Sequence, residues 1–551
     1  MKKTIPANPG ARLRSIGESY IKRTCADFPQ WGSALGFPEF EPLLAGSDAR
    51  THRERISFVE EMLAETESIS ARGLSPDDWL DRRCFISLLR SELLSLRELE
   101  RWRTNPQECC DGAIGSVFEL VIRHADHLEK ALSAIESRLA LIPDFLKNGA
   151  TALRNPVPLW TRLAVQSSKG AGDFLENLGG TLSEISPFPE KTRKLVQDAV
   201  KAFGVYAAAI TRKKAGKPGD FAIGRERFEF LVRERCGLDW SLPEIEAEGH
   251  RLIAEISAEI EKEGRKISGG RGKKAFQILK EVRDSWIPDA PLIELYTRSS
   301  EKWRQRVIRS GLFPVPTGES LKVTPVSDFM RDHFPTAAYT APGAFQKQQR
   351  GIFWVNDLGA TKNNPADALR EARQHFGLDL TSAHEGYPGH HLQFAIQNQH
   401  PSRIRRLCSH AIFYEGWTMW CEKMAVEQGW VSEPHARLQQ LQDALWRAYR
   451  IIIDCGLHSC KLTHEAAAQI LVHGVGFTPA RARADVNWYT SAPTVPMSYL
   501  LGRLELERVK NRFIKSKEEG GEAWSLRQFH DWALSHGAIP WAWILQARFR
   551  D

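Results

Sequence analysis

Residues 381–393 read TSAHEGYPGHHLQ. His384 and Glu385 are adjacent, and His390 and His391 follow closely. A histidine beside a glutamate, with another histidine nearby, is the element zinc peptidases use: two imidazoles bind the ion and the glutamate acts as base on a water. In its common form the histidines are four residues apart, one helical turn, about 6 Å of rise. Here the spacing differs. On an unbroken helix His390 points roughly 120° away from His384, and His391 faces the same way but sits about 10.5 Å along the axis. Pro388 offers a remedy, because it has no amide hydrogen to give to the carbonyl of His384. Gly389 tolerates backbone angles that other residues avoid. A break at Pro388-Gly389 brings one of the downstream histidines back beside His384, and the spacing leaves open which one.

A catalytic zinc takes a third protein ligand and keeps one position open. Residues 411–422, AIFYEGWTMWCE, offer it. Glu415 and Glu422 share one helical face two turns apart, among Phe413, Trp417 and Trp420. A carboxylate in so apolar a segment needs a partner, since burying it unpaired is costly. Ligation gives Glu415 that partner, and Glu422 is placed to orient a histidine.

Outward from this stretch the chain reads as helix after helix. Leucines and isoleucines recur at three- and four-residue spacing over 54–104 and 115–147, the latter ending near Pro143. Ser241-Leu-Pro-Glu is a helix start, and helical texture returns from about Pro365 to the end. Residues 264–274, GRKISGGRGKK, read as a solvated loop. Residues 311–357 are rich in proline, glycine and β-formers and predict a few short strands, with Gly351–Asn356 as an edge strand. The expected fold class is mainly α, with an N-terminal helical region over 1–240 and a catalytic region over 241–551, packed as one compact body.

With 42% hydrophobic and 26% charged residues the composition is that of a globular chain. No apolar run approaches the roughly 20 residues of a membrane span. The first residues lack an apolar stretch behind their lysines, which predicts a cytoplasmic protein. Nine cysteines without regular spacing argue against a disulfide scaffold. A net charge of +7 on 551 residues does not single out nucleic acid as a partner. No Gly-x-Ser-x-Gly elbow supports serine-hydrolase chemistry.

HEGYPGHHLQ, followed by YEGWTMWCE at 414–422 and RIIIDCGLH at 450–458, resembles the bacterial family catalogued as domain of unknown function 885. That family is grouped with the glutamate-zincin metallopeptidases, whose helical members include thimet-type oligopeptidases, angiotensin-converting enzyme and Taq-type carboxypeptidases. The resemblance is strongest over about 340–510 and extends more weakly through GRERFEFLV at 224–232 and RHADHLEKAL at 123–132. It implies a two-lobed zincin-like fold with a central cleft, with His384, His390 and Glu415 as zinc ligands and Glu385 as general base. His391 is the rival second ligand. It also implies that the Gly351–Asn356 strand pairs with an extended substrate backbone.

Hydrolysis at zinc needs a donor that steadies the oxyanion, and Tyr499, Tyr489 and His458 are candidates. Arg450, Asp454 and His458 share a helical face, where Asp454 would pair with Arg450 and orient His458. Cys455, His458, Cys460 and His464 point in different directions on one helix and read as structural. The expected function is zinc-dependent hydrolysis of a peptide bond in short peptides. The alternatives are an amidase acting on a small metabolite and a catalytically silent protein that binds peptide or partner.

Overall fold

A computed structural model describes residues 8–269, 275–326, 336–357, 364–431 and 435–549. The described residues are mainly helical with one small three-stranded sheet, as the periodicity predicts. They divide into two compact units. One holds described residues up to Phe221 together with Gly343–Gln346, and the other the described residues from Ala222 onward apart from that turn.

In the first unit, proline opens the helices Pro9–Asp27, Pro29–Leu35, Pro76–Leu93, Pro106–Arg123, Pro158–Ile185 and Pro189–Thr211. The first helical position loses nothing by lacking an N–H there. Leu132–Ala152 runs straight through Pro143 instead of ending near it. Ile142, Leu146 and Ala150 lie in the unit's main core with Leu175, Phe203 and Tyr206, and burial of that face outweighs one missing backbone hydrogen bond.

The second unit carries the chemistry. Ser241 starts Leu242–Ser268, and the Glu244 carboxylate accepts the Ser241 backbone N–H at 2.7 Å, a reciprocal cap. That helix continues through Gly264–Ser268, so the expected loop begins later; residues 270–274 lie outside the described residues. The sheet consists of β1 (Glu319–Pro325), β2 (Ala337–Thr340) and β3 (Gln349–Val355), in the order β1-β3-β2. β1 runs parallel to β3 from Glu319 opposite Gln349, and β2 runs antiparallel to β3 with Tyr339 opposite Phe353. β3 is therefore the central strand, not an edge, because its neighbours come from segments on either side of it in a pairing that local pattern does not encode. Helix Leu292–Ser310 covers the sheet, where Tyr296 meets Phe353 edge to face at 5.3 Å. It also anchors helix Leu378–Glu385, since the Trp303 indole donates to the Asp379 carbonyl at 2.8 Å.

Candidate metal centre

Helix Leu378–Glu385 ends shortly before the expected break at Pro388-Gly389. Gly386 caps it, the Tyr387–Pro388 peptide is cis, and helix His390–Gln397 starts again directly. The Gly389 amide turns back to the Ala383 carbonyl at 3.0 Å. A Cβ at Gly389 would collide with the carbonyl oxygens of His384 and Ala383. Trp417 on helix Ala411–Glu427 donates its indole N–H to the Pro388 carbonyl at 2.9 Å, which pins the break to the next helix. The result places the His384 and His390 rings 4.9 Å apart, nearly perpendicular.

Glu415 arrives from Ala411–Glu427, whose position is set by a backbone-to-backbone crossing. Gly416 rests on Gly502 of helix Val495–Glu519, so close that a Cβ on either would strike the other helix's backbone. This crossing flanks Glu415 on one helix and Tyr499 on the other. The Glu415 Oε2 lies 3.4 Å from His390 Nε2 and 3.6 Å from His384 Nε2. The three ligand atoms lie within 4.8 Å of one another, and all three residues are buried. Those oxygen–nitrogen gaps are long for hydrogen bonds. They match the edge of a tetrahedron around an ion held by bonds of about 2.1 Å, which is about 3.4 Å. Glu415 Oε2 and His390 Nδ1 are buried and make no hydrogen bond among the described residues.

A second carboxylate stands behind the first imidazole. Glu422 accepts from His384 Nδ1 at 2.6 Å, which leaves Nε2 facing Glu415. The electrostatics are those of a site that wants positive charge. Burial pushes His384 down, but its contacts with Glu415 and Glu422, and the charge of Glu385, push it up to about 10. Burial pushes the Glu415 carboxyl up, yet His390 and His384 hold it below the usual carboxylate range.

The spacing left His390 and His391 as rivals, and the fold separates them. His391 is fully buried; its Nε2–H donates to Glu319 Oε2 at 2.8 Å and its Nδ1 accepts from the Tyr339 hydroxyl at 3.1 Å. Glu319 also accepts from Arg304 Nε at 2.9 Å and from the Tyr387 hydroxyl. Burial raises the Glu319 carboxyl, but His391 and Tyr387 outweigh it and keep it ionised. Sequence reasoning missed this network. Its members lie far apart in the chain, and a lone glutamate at the start of a strand carries no local signal.

Glu385 is half-buried at the end of its helix beside His384, and its charge is felt by Tyr296 and Tyr339. The Tyr499 ring stacks on His384 at 6.4 Å, and burial together with the negative charge of Glu415 holds its hydroxyl well above the usual tyrosine range. His458 is not brought to this group. Its Nε2–H donates to the Tyr489 carbonyl at 3.1 Å and its ring stacks on Phe228. It lies two helical turns, about 12 Å, beyond Arg450. The expected Arg450–Asp454 pair is also absent among the described contacts. Asp454 lies 3.7 Å from His458 Nε2, beside the histidine it was expected to orient, and accepts the backbone N–H groups of Thr494 and Met497, each at 3.3 Å, at the start of helix Val495–Glu519. Cys455 is buried, Cys460 exposed, and His464 pairs with Asn487, so the four form no cluster.

Fold and site together define a mainly helical protein with a buried His-His-Glu group and a carboxylate behind one imidazole. The chain matches the family described as "Bacterial protein of unknown function (DUF885)" over residues 29–547, and it belongs to that family. Two solved proteins share the fold, each described as a "putative lipoprotein". The one from Shewanella oneidensis has a TM-score of 0.78 at 19% identity, covering 99% of this chain and 100% of its own. The one from Colwellia psychrerythraea has a TM-score of 0.77 at 16% identity, covering 98% of each chain. No curated protein matches the sequence. Among the described residues, no helix is long and apolar enough to cross a membrane.

Proposed function

We propose that this chain is a zinc-dependent hydrolase that cleaves a peptide bond in short peptides, related in mechanism to the glutamate zincins. The observation that carries the reading is the convergence of His384 Nε2, His390 Nε2 and Glu415 Oε2, with Glu422 fixing the first imidazole. Two imidazoles and one carboxylate suit zinc among the common divalent ions. A zinc ion held there supplies Lewis-acid polarisation of a carbonyl and an acidified water.

The chain's own groups do the rest. Glu385 takes a proton from the attacking water and passes it to the amide nitrogen as the carbon–nitrogen bond breaks, leaving an acid and an amine. Tyr499, held beside Glu415 and His384, donates its hydroxyl proton in a hydrogen bond to the developing oxyanion. β2, at the sheet's edge with Tyr339 stacked near His390 at 6.1 Å, takes the substrate-pairing role expected of β3.

The test is Glu385→Gln. Metal content is expected to match the unaltered chain while hydrolysis of a di- and tripeptide panel falls by roughly 10²–10⁴-fold. Undiminished turnover in the variant rejects Glu385 as base. Turnover of acyl amides with none of the peptides cut would make the chain a small-molecule amidase, and binding without turnover in the unaltered chain would make it a binder.

A further inference from the structure

Arg450 sits in the middle of helix Ala436–His458, only 5% exposed. Its Nε donates to the Tyr489 hydroxyl at 2.8 Å. Its nearest carboxylate, Asp485, stays 3.9 Å from Nη2, because that carboxylate is engaged by the Tyr489 hydroxyl at 2.9 Å and the Trp446 indole at 3.0 Å. Nη1 is buried with no acceptor among the described residues. The guanidinium is boxed by rings: Trp446 at 4.0 Å, Tyr499 at 4.6 Å, Trp488 at 5.3 Å and Tyr489 at 5.4 Å.

Two further cations share the place. Arg447 lies 4.0 Å and Arg481 5.3 Å from the Trp446 ring, and the Nε of each is buried without an acceptor among the described residues. Asp443 lies 3.5 Å from Arg447 and Asp485 3.9 Å from Arg450, and neither meets the open nitrogens Arg450 Nη1, Arg447 Nε and Arg481 Nε with a hydrogen bond. Trp488 is 38% exposed and Trp446, Arg447 and Arg481 are half-buried, so the group around the buried Arg450 reaches the surface. An unmade hydrogen bond on a buried cation is expensive, and a protein keeps several together where a ligand completes them.

We infer that Arg450 is the base of a carboxylate-binding site that receives the free C-terminal carboxylate of the substrate. The planar fork of a guanidinium matches a carboxylate with two parallel hydrogen bonds, and the surrounding rings exclude water from them. The position fits the chemistry next door. The Tyr499 ring neighbours both Arg450 and His384, and the two separations bound the guanidinium to within about 11 Å of the His384 ring. One residue step is about 3.8 Å, so the carboxylate belongs one or two residues beyond the bond to be cut. This rests on the hydrolase reading for what is cleaved, and makes the enzyme an exopeptidase of short peptides. The binding itself stands apart from turnover.

The experiment uses the full chain as Glu385→Gln, and follows ligands by calorimetry and by the change in total tryptophan fluorescence. Three probes are compared: Ala-Ala-Ala, its C-terminal amide, and Ala-Glu-Ala amide. The free acid is expected to bind at least about tenfold more tightly than the plain amide. Adding Arg450→Gln is expected to remove that preference with thermal midpoint and metal content unchanged. Should Arg450→Gln fail to fold, Arg447→Gln and Arg481→Gln are each expected to narrow the gap by severalfold. An Ala-Glu-Ala amide that matches the free acid keeps the carboxylate site and moves its ligand to a side chain. Equal binding of acid and plain amide, no binding of either, or a preference that survives all three substitutions overturns the site. Acid-selective binding by an unaltered chain that cuts no peptide sinks the hydrolase reading and leaves the site standing.

Discussion

Glu422 accepts the Nδ1 proton of His384 and thereby settles which nitrogen faces Glu415. Replacing it with alanine frees the imidazole to rotate, so zinc affinity measured by competition with a chelating dye is expected to fall roughly 10–100-fold. Unchanged affinity would leave Glu422 without the orienting role. At this scale the sequence was legible where chemistry is local. His-Glu, the Pro-Gly break and the two glutamates on an apolar face all point to one group. The choice between His390 and His391 was not, because it depends on Glu319 and Tyr339, which only tertiary structure brings to His391. His458 stands apart from the His-His-Glu group for the same reason. Its family-like string reads as a catalytic face, yet the ring is occupied by a backbone carbonyl that no local spacing announces.

Gly416 and Gly502 let two helices touch backbone to backbone next to Glu415 and Tyr499. Gly416→Ala forces the helices apart, with an expected loss of about 1–3 kcal/mol in stability and a weakened zinc site. Gly204, exposed in helix Pro189–Thr211 with nothing near its missing Cβ, is the control. Gly204→Ala is expected to stabilise by about 0.5–1 kcal/mol. Urea melts of both variants check the pair, and a neutral Gly416→Ala would remove the crossing from the account. Helix starts were legible because caps are written locally, as at Ser241. Helix ends were not always, since Pro143 is overridden by the burial of its neighbours. Strand existence was legible from composition, but strand order was not, because pairing is a long-range choice.

In the second unit His375 and His530 are buried with both ring nitrogens engaged. His375 donates to the Asn356 carbonyl at 3.0 Å and accepts from the Tyr296 hydroxyl at 3.1 Å. His530 donates to the Leu312 carbonyl at 2.8 Å and accepts from the Trp420 indole at 3.3 Å. Burial holds them down at about 4 and about 3 respectively. Both values lie below the ordinary 6.5, so the unfolded chain takes up these protons first. The stability this gives is present above about pH 6.5 and is lost as pH falls toward 4, at up to about 1.4 kcal/mol per unit for each group. In NMR titration of labelled histidines, two signals are expected to stay neutral at pH 5; titration of both near 6.5 would contradict the burial. Fold class was open to the sequence at this scale; the division of the described residues at Phe221–Ala222 follows the basic, glycine- and proline-bearing stretch RKKAGKPGD at 212–220, ahead of the boundary expected at 240.

The most direct test of the whole account is zinc content by elemental analysis of the purified chain and four variants. His384→Ala, His390→Ala and Glu415→Ala are expected to lose the ion, while His391→Ala, at equal folded fraction, keeps about one per chain. Zinc retained by the first three, or lost only with His391, would contradict the convergence on which the proposed chemistry rests.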